Sequence, residues 1–473
     1  MFKLRMRLRV RTFLVHSMLR IQKFLNWATT RRTKRFVIYK DLKRAQFSSR
    51  DEYEERLTRR LRELVNHAVR TVPYYAEFAK GLGSDERDRL ERASPDDMRI
   101  LPILTKESIR ALGDRLHSSD HVRRGSYWNS SGGTTGQPTQ VLQDPDFYEH
   151  ANAQTLLVRS WRGAGPFDAV IRIWGAQRDF GSTRWNLKLR DFVRNRIILN
   201  CFKMTEQEME GYLRVLQRHH PKVIISYVAA AYELANFAEQ KGIRVKLDAP
   251  IQTGAGTLFE PMRERIESVF GTKVFNHYGA RETGAIASEC EHASGLHILG
   301  DHVYVEIVDD LGRPCPPGGI GHVLVTSLNN FSMPILRYRI GDQAAWATKT
   351  RCECGRPYPL LERVAGRQSS VIRAANGALV DSNFFVHTIG VTEHHPNIRR
   401  FQLVQEDINA YTVRLMVTAE VPSLVTERIA SRLRSVLGES VQIRFEYTDD
   451  LHESITGKFD FVVSKLPSKG MAA

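Results

Sequence analysis

A chain of 473 residues with 42% hydrophobic side chains can bury a large core in more than one folding unit, which excludes a disordered or fibrous protein. The net charge of +16 suggests a nucleic-acid binder until it is located: residues 1–50 hold 15 Lys or Arg against one acid, Asp41, a net of +14 that leaves only +2 for the rest. No reading module or stacking-aromatic groove accompanies that charge, so nucleic acid is not the expected partner, and five cysteines do not make a secreted disulfide framework, so a reducing cytoplasm is expected.

The basic arm comes first in the chain. Lys3, Arg5, Arg7, Arg9 and Arg11 precede Arg31, Arg32, Lys34 and Arg35, and between them Leu14, Met18, Ile21 and Leu25 recur at helical spacing with Phe13, Phe24 and Trp27 nearby. That pattern suits a helix lying on an anionic membrane, its apolar stripe in the headgroup boundary. An organellar presequence, or a plain helix packed on the body, also fits it. The stretch between Arg11 and Arg20 is too short to span a bilayer.

From Ser48 to Lys80 the spacing of Leu57, Leu61, Leu64, Val65 and Ala68 predicts amphipathic helix. Next comes Ser130-Ser131-Gly132-Gly133-Thr134-Thr135-Gly136-Gln137-Pro138. Its glycines let the backbone approach an anion closely, while its hydroxyls and free N–H groups aim donors at phosphate oxygens. An ordinary surface loop is the bland alternative, and the Gly-Lys-Ser/Thr ending of a Walker loop is missing.

Short β-rich runs follow at Val170 to Trp174, Val223 to Tyr227 and Lys273 to His277, with helical patterns at Gln207 to Arg218, Ala230 to Lys241 and Pro261 to Phe270. This alternation predicts a layered α/β core. From Leu296 the character turns to strands and tight turns, with Val303 to Val308, a turn at Asp309 to Gly312, and Gly321 to Ser327. Beyond Gly366 a smaller α+β unit holds strands at Phe401 to Val404, Tyr411 to Val417 and Val441 to Tyr447 and a helix from Ser423 to Leu437.

In their order, the hydroxyl loop, His277-Tyr278-Gly279-Ala280-Arg281-Glu282-Thr283-Gly284, Arg337-Tyr338-Arg339-Ile340-Gly341-Asp342, Gly366-Arg367 and Thr456-Gly457-Lys458 resemble the adenylate-forming superfamily of acyl-CoA synthetases. Within it the likeness is to the phenylacetate-CoA ligase branch and the related CapK-type capsular polysaccharide proteins, supported by the segments from Leu64 to Tyr75 and from Leu101 to Lys106. It runs from about Asp51 to about Leu466. The resemblance implies a large layered α/β domain at 46–365, after the basic arm at 1–45, and a smaller mobile α+β domain at 366–473. It also implies an enzyme that uses ATP to turn a carboxylic acid into an acyl-adenylate and passes the acyl group to a thiol, with CoA as the expected acceptor.

Carried onto this chain, the resemblance gives each motif residue a role. Ser130, Ser131, Gly132, Gly133, Thr134, Thr135 and Gly136 would hold the leaving phosphates, with Thr135 acting on the reacting groups. Glu282, as a carboxylate after a Tyr-Gly turn, can reach a magnesium ion (Mg2+) on phosphate oxygens, although a solvated acid has the same appearance. Tyr278 would lie against adenine, beside Gly279 and Thr283, and Gly254-Ala255-Gly256 would let nucleotide approach its backbone. Asp342 has two oxygens for the ribose hydroxyls, or is a turn-forming acid after glycine. Arg367 belongs to the same nucleotide set, and Lys458 would supply positive charge to the carboxylate and α-phosphate. Where relatives carry an aspartate hinge after Gly-Arg-x, this chain has Ser369, which puts the usual domain rotation and the thiolation step in question.

Cys352-Glu353-Cys354 is a tight pair, with Cys290 upstream and His292, His297 and His302 near it in sequence. Thiolates and imidazole suit a closed structural zinc (Zn2+) site, and the resemblance points to Cys290, His297, Cys352 and Cys354; reduced, metal-free side chains are the alternative. Arg172, Trp174, Gln177 and Arg178 stand where an acyl pocket would be, or are core and surface of one strand end. The expected partners are a carboxylic acid, CoA or a carrier thiol, an anionic membrane at the inner face of the cell, and a second copy of the chain. Two other readings stay open: an adenylate-forming transferase that does not use CoA, and a membrane-associated scaffold with a degenerate adenylation fold.

Overall fold

The structure is a computed structural model that describes residues 24–130, 139–174, 189, 191–201, 204–367, 371–374, 379–381, 397–449, 451 and 461–466, with a few single positions between 385 and 395. Residues 24–30 are helical. Then come α1 (Lys34–Ala45), α2 (Arg50–Thr71), α3 (Pro73–Lys80), α4 (Ser84–Arg92) and α5 (Lys106–Leu112). The helical stretch expected from Ser48 to Lys80 is broken at Val72, which is extended (φ −104, ψ 117) because Pro73 disfavours helical geometry in the residue before it. A Ser49–Glu52 capping box starts α2, and Leu57, Leu61, Leu64, Val65 and Ala68 form its buried face as their spacing predicts.

The hairpin β1 (Tyr127–Ser130) and β2 (Gln140–Gln143) leads into α6 (Pro145–Ser160). The α/β core runs through β3 (Val170–Trp174), β4 (Arg196–Asn200), α7 (Glu206–His219), β5 (Val223–Tyr227), α8 (Val228–Gln240), β6 (Ile251–Gly254), α9 (Glu260–Phe270) and β7 (Val274–Ala280). Strands β4, β3, β5, β6 and β7 are parallel neighbours. From β7 the sheet turns antiparallel into β8 (Gly284–Glu289), β9 (Leu296–Ile298), β10 (Val303–Val308), β11 (Ile320–Ser327), β12 (Tyr338–Trp346) and β13 (Leu360–Arg367). The resulting 11-stranded sheet has the order β10-β11-β12-β13-β9-β8-β7-β6-β5-β3-β4.

After β13 come the short pair β14 (Val371–Arg373) and β15 (Leu379–Asp381), then β16 (Ile398–Asp407), β17 (Ala410–Val417), α10 (Ser423–Leu437), β18 (Gln442–Tyr447) and β19 (Val462–Ser464). The last four strands form a separate sheet of order β18-β17-β16-β19. The molecule is therefore mixed α/β, a large sheet-rich body with a smaller C-terminal unit, as the sequence predicts.

Part of the basic arm is docked on the body. α1 packs along α6, where Arg35 makes a half-buried pair with Glu149 (Nη2 to Oε1 2.7 Å) and its backbone N–H donates to the same carboxylate. Phe36 meets Phe167 with ring centroids 5.5 Å apart. For residues 24–45 the packed-helix expectation describes the observed contact. Residues 1–23 lie outside the described part.

Candidate active site

The parallel strands deliver their C-terminal ends to one edge of the sheet, beside the change from parallel to antiparallel pairing at β7, the place where open α/β sheets bind ligands. Gly254 ends β6 opposite Tyr227 of β5, and a side chain at Gly254 would stand 3.3 Å from the His277 carbonyl. Ala255 follows in the left-handed region (φ 59), an uncommon place for a residue with a Cβ, and the strain marks a functional candidate.

The β7–β8 turn carries the Tyr278 to Gly284 motif. Two of its glycines are required by contact: a Cβ at Gly279 would lie 2.8 Å from the Gly284 carbonyl, and one at Gly284 (φ +77) would lie 2.6 Å from His302 Nε2. Glu282 is 5% exposed and Thr283 fully buried. Among the described residues no cation pairs with Glu282. A buried carboxylate without a cationic partner is costly in isolation, so this environment fits a bound cation.

Glu282 is tied to the hydroxyl loop through that loop's stem. Gln143 Nε2 donates to the carbonyls of Arg281 (2.9 Å) and Glu282 (3.3 Å), and Asn129 Nδ2 donates to Gln143 Oε1 (3.0 Å) and the Arg281 carbonyl (3.4 Å). Ser130, whose N–H donates to Asn129 Oδ1 (3.0 Å), pairs with Gln140 across the hairpin. Both ends of the loop are thereby fixed. Ser131, Gly132, Gly133, Thr134, Thr135 and Gly136 lie outside the described residues.

Asp342 and Tyr278, assigned separately to ribose and adenine, meet directly: the Tyr278 hydroxyl donates to Asp342 Oδ2 at 2.8 Å. Tyr338, on the same strand as Asp342, is fully buried with its phenol facing Glu282 and Asp342; burial and then those two charges push its pKa above the usual tyrosine range. Arg367 is the backbone partner of Asp342 across β12 and β13. Lys458 and the hinge residue Ser369 lie outside the described residues.

Four contributors escaped the sequence reading. Asn129 and Gln143 act through tertiary contacts that leave no local pattern, and Tyr338, although inside the Arg337 to Asp342 motif, was given no role. Lys106 belongs to the segment from Leu101 to Lys106, whose motif gave no role. In the fold Leu104 pairs with Tyr338 in parallel, its N–H donating to the Arg337 carbonyl (3.2 Å) and its carbonyl accepting from Arg339 (2.8 Å). This stitch brings Lys106 Nζ within 3.8 Å of the space a Gly341 side chain would fill, next to Asp342.

On the acid side, Trp174 at the end of β3 stacks edge-on against Tyr227 at 4.4 Å, with the Arg172 guanidinium 4.8 Å over the Trp174 ring. Gln177 and Arg178 lie outside the described residues.

A second cluster lies beyond the opposite ends of β8 and β9. Cys290 follows β8, His297 lies in β9, and Cys352 and Cys354 come from the β12–β13 connection; their four ligand atoms lie within 4.8 Å of one another. Cys290 Sγ is 3.6 Å from Cys352 Sγ, and Cys354 Sγ is 3.2 Å from His297 Nε2. Sulfurs on one tetrahedral zinc stand about 3.8 Å apart for Zn–S bonds of about 2.3 Å, so the donor set and its spacing fit zinc. His302 is elsewhere, with its Nδ1 3.2 Å from Asn329 Nδ2, and His292 stands 3.7 Å from Glu353.

Residues 372–465 match the family described as the CapK C-terminal domain. A phenylacetate-coenzyme A ligase from Thermus thermophilus is 27% identical over 341 residues, covering 67% of this chain and 71% of that one. Protein CapK from Staphylococcus aureus is 20% identical over 440 residues, 90% of this chain and 92% of its own. Among solved structures, a 2-hydroxyisobutyryl-CoA ligase in a postadenylation state, in complex with R3-HIB-AMP, superposes with a TM-score of 0.69 at 18% identity, covering 89% of this chain and 91% of that one. Fold and relatives together define an AMP-forming ligase of the adenylate-forming superfamily. Within that superfamily the chain is similar to the phenylacetate-CoA ligases and to CapK.

Proposed function

We propose that the protein activates a carboxylic acid with ATP and transfers the acyl group to a thiol, CoA being the favoured acceptor. The observation that carries this reading is the direct bond of Tyr278 to Asp342 together with the fastening of the Glu282 turn through Gln143 to the base of the hydroxyl loop. Attack of a carboxylate on the α-phosphorus brings negative charges together, so the task is positioning and neutralisation. Asp342 and Tyr278 would orient the nucleoside, the hydroxyl loop would receive the leaving pyrophosphate, and Lys458 would neutralise the reacting carboxylate and α-phosphate. Glu282 would hold magnesium, which shields phosphate charge when bound. The names of the relatives support CoA as acceptor, and the CapK likeness supports work connected with envelope polysaccharide.

The Cys290, His297, Cys352 and Cys354 cluster is proposed as a structural zinc site that pins the ends of β8, β9 and β13 together. For the arm, an anionic membrane surface remains the proposed partner: Phe24 is 61% exposed and Trp27 36% exposed, with the Arg31 guanidinium 3.8 Å over the Trp27 ring. No helix among the described residues is long and apolar enough to cross a membrane.

Pyrophosphate exchange into ATP, run with a panel of carboxylic acids, tests the activation step, and thioester formation with CoA against a carrier protein or an amine tests the acceptor. Exchange with none of the acids would favour the degenerate-scaffold reading.

A further inference from the structure

One buried acid of the large body reaches the small C-terminal unit. Glu233 lies on α8, a helix with ten buried side chains, and its own side chain is 7% exposed. Oε1 accepts from Arg399 Nε (3.2 Å) and Nη2 (2.8 Å), and Oε2 accepts from Arg400 Nη2. Arg399 Nη2 also donates to the Met204 carbonyl at 2.5 Å. Consecutive residues of a regular strand point to opposite faces, yet Arg399 and Arg400 converge on one carboxylate. The pairing of β16 with β17 shifts register between Ile398 and Arg400, the kind of irregularity that re-aims a side chain.

A second contact lies beside the first. Phe461 packs edge-on against Tyr232 of α8 with centroids 6.1 Å apart and tilts against Phe401 of β16 at 5.2 Å. Its carbonyl accepts from Leu403 N–H at 2.8 Å, and β19 then continues parallel to β16. Phe461 is three residues beyond Lys458. The clamp on β16 and the ring on α8 therefore anchor the strand and the chain end that border the segment carrying that lysine.

We propose that Glu233 is a positioning residue: by holding Arg399 and Arg400 it sets how the C-terminal unit, to which Lys458 belongs, is seated on the large body. This rests on the adenylating role assigned to Lys458. Two guanidinium groups share one buried carboxylate, so removing the acid takes away the charge that holds both neighbouring cations together. The large body holds Tyr278, Glu282 and Asp342 without help from the clamp, so loss of Glu233 should slow the chemical step and leave nucleotide binding alone.

The test uses the full chain as Glu233→Gln, Glu233→Lys, and Glu233→Lys combined with Arg400→Glu, which re-forms one pair with reversed charges. The kcat of pyrophosphate exchange should fall about tenfold or more in the two single variants, since small displacements of a reacting group carry such losses, while the KM for ATP stays within about twofold. The re-paired variant should recover a large part of the rate. Small-angle X-ray scattering should show a larger radius of gyration for Glu233→Lys that returns toward the parent on re-pairing. Should Glu233→Lys not fold, Glu233→Gln, which keeps the shape and removes only the charge, carries the kinetic test alone. Parental kcat in Glu233→Gln, or equal losses in kcat and ATP affinity without recovery on re-pairing, would overturn the proposal. If the parent exchanges pyrophosphate with none of the acids, the functional reading fails instead, and scattering decides the clamp by itself.

Discussion

At the scale of single residues the proposed nucleotide site contains a direct bond between its two nucleoside-orienting residues. Asp342 accepts from Tyr278, so Asp342→Ala removes the proposed ribose acceptor and also this bond to the tyrosine hydroxyl. Calorimetry should show ATP affinity weakened by about 1 to 3 kcal/mol, and unchanged affinity would refute the ribose role. Tyr278→Phe keeps the ring and should cost less. Glu282→Gln should raise the magnesium concentration needed for half-maximal exchange, because a neutral amide is a poorer ligand for a hard cation. An unaltered magnesium requirement would leave Glu282 as an internal structural acid. The family resemblance singled out Cys290, His297, Cys352 and Cys354 from their types and order, and their ligand atoms lie within 4.8 Å of one another. Asn129, Gln143, Tyr338 and Lys106 were not singled out, since each depends on a neighbour more than a hundred residues away or on a stitch between strands.

At the scale of elements, the helices with clear apolar spacing were read to within about two residues. α7 and α9 each have a periodic apolar face, α8 is an apolar run buried nearly all round, and β3, β5 and β10 are dense in β-branched side chains. The hairpin β1 and β2 went unread because each strand has four residues and the turn between them is the Ser/Gly-rich loop. β12 was hidden for a different reason: Gly341 and Asp342 in its middle look like turn residues, and only pairing with both β11 and β13 makes the segment a strand. The Cys/His cluster proposed to hold zinc belongs to this scale, because it joins β8, β9 and the β12–β13 connection. Elemental analysis of protein purified without chelator should give about one zinc per chain, lost on Cys352→Ser together with a lower melting temperature, since a closed site contributes its binding energy to folding. Metal-free protein of undiminished stability would contradict the assignment.

At the scale of the whole molecule, a nearly neutral catalytic body carries a basic arm of which one helix is already docked. The pairs of Lys34 with Asp146 and of Arg35 with Glu149 take two cations out of the surface available to lipid. The remaining charge lies mostly before residue 24, so a chain lacking residues 1–23 should keep its fold and ATP binding. It should lose sedimentation with vesicles containing anionic lipid, and binding by the intact chain should fall steeply with ionic strength, since each basic group near such a surface contributes roughly 1 kcal/mol and is screened by salt. Equal, salt-insensitive binding by both forms would show that the arm is not an electrostatic anchor. The central claim is that both domains cooperate in forming an acyl-adenylate, and it is tested most directly by pyrophosphate exchange in the parent and in Lys458→Ala. The parent should exchange with at least one carboxylic acid, and the variant should bind ATP normally while exchanging about a hundredfold more slowly or less, as expected when a contact to developing charge is lost. An equal rate in the two proteins would contradict the account.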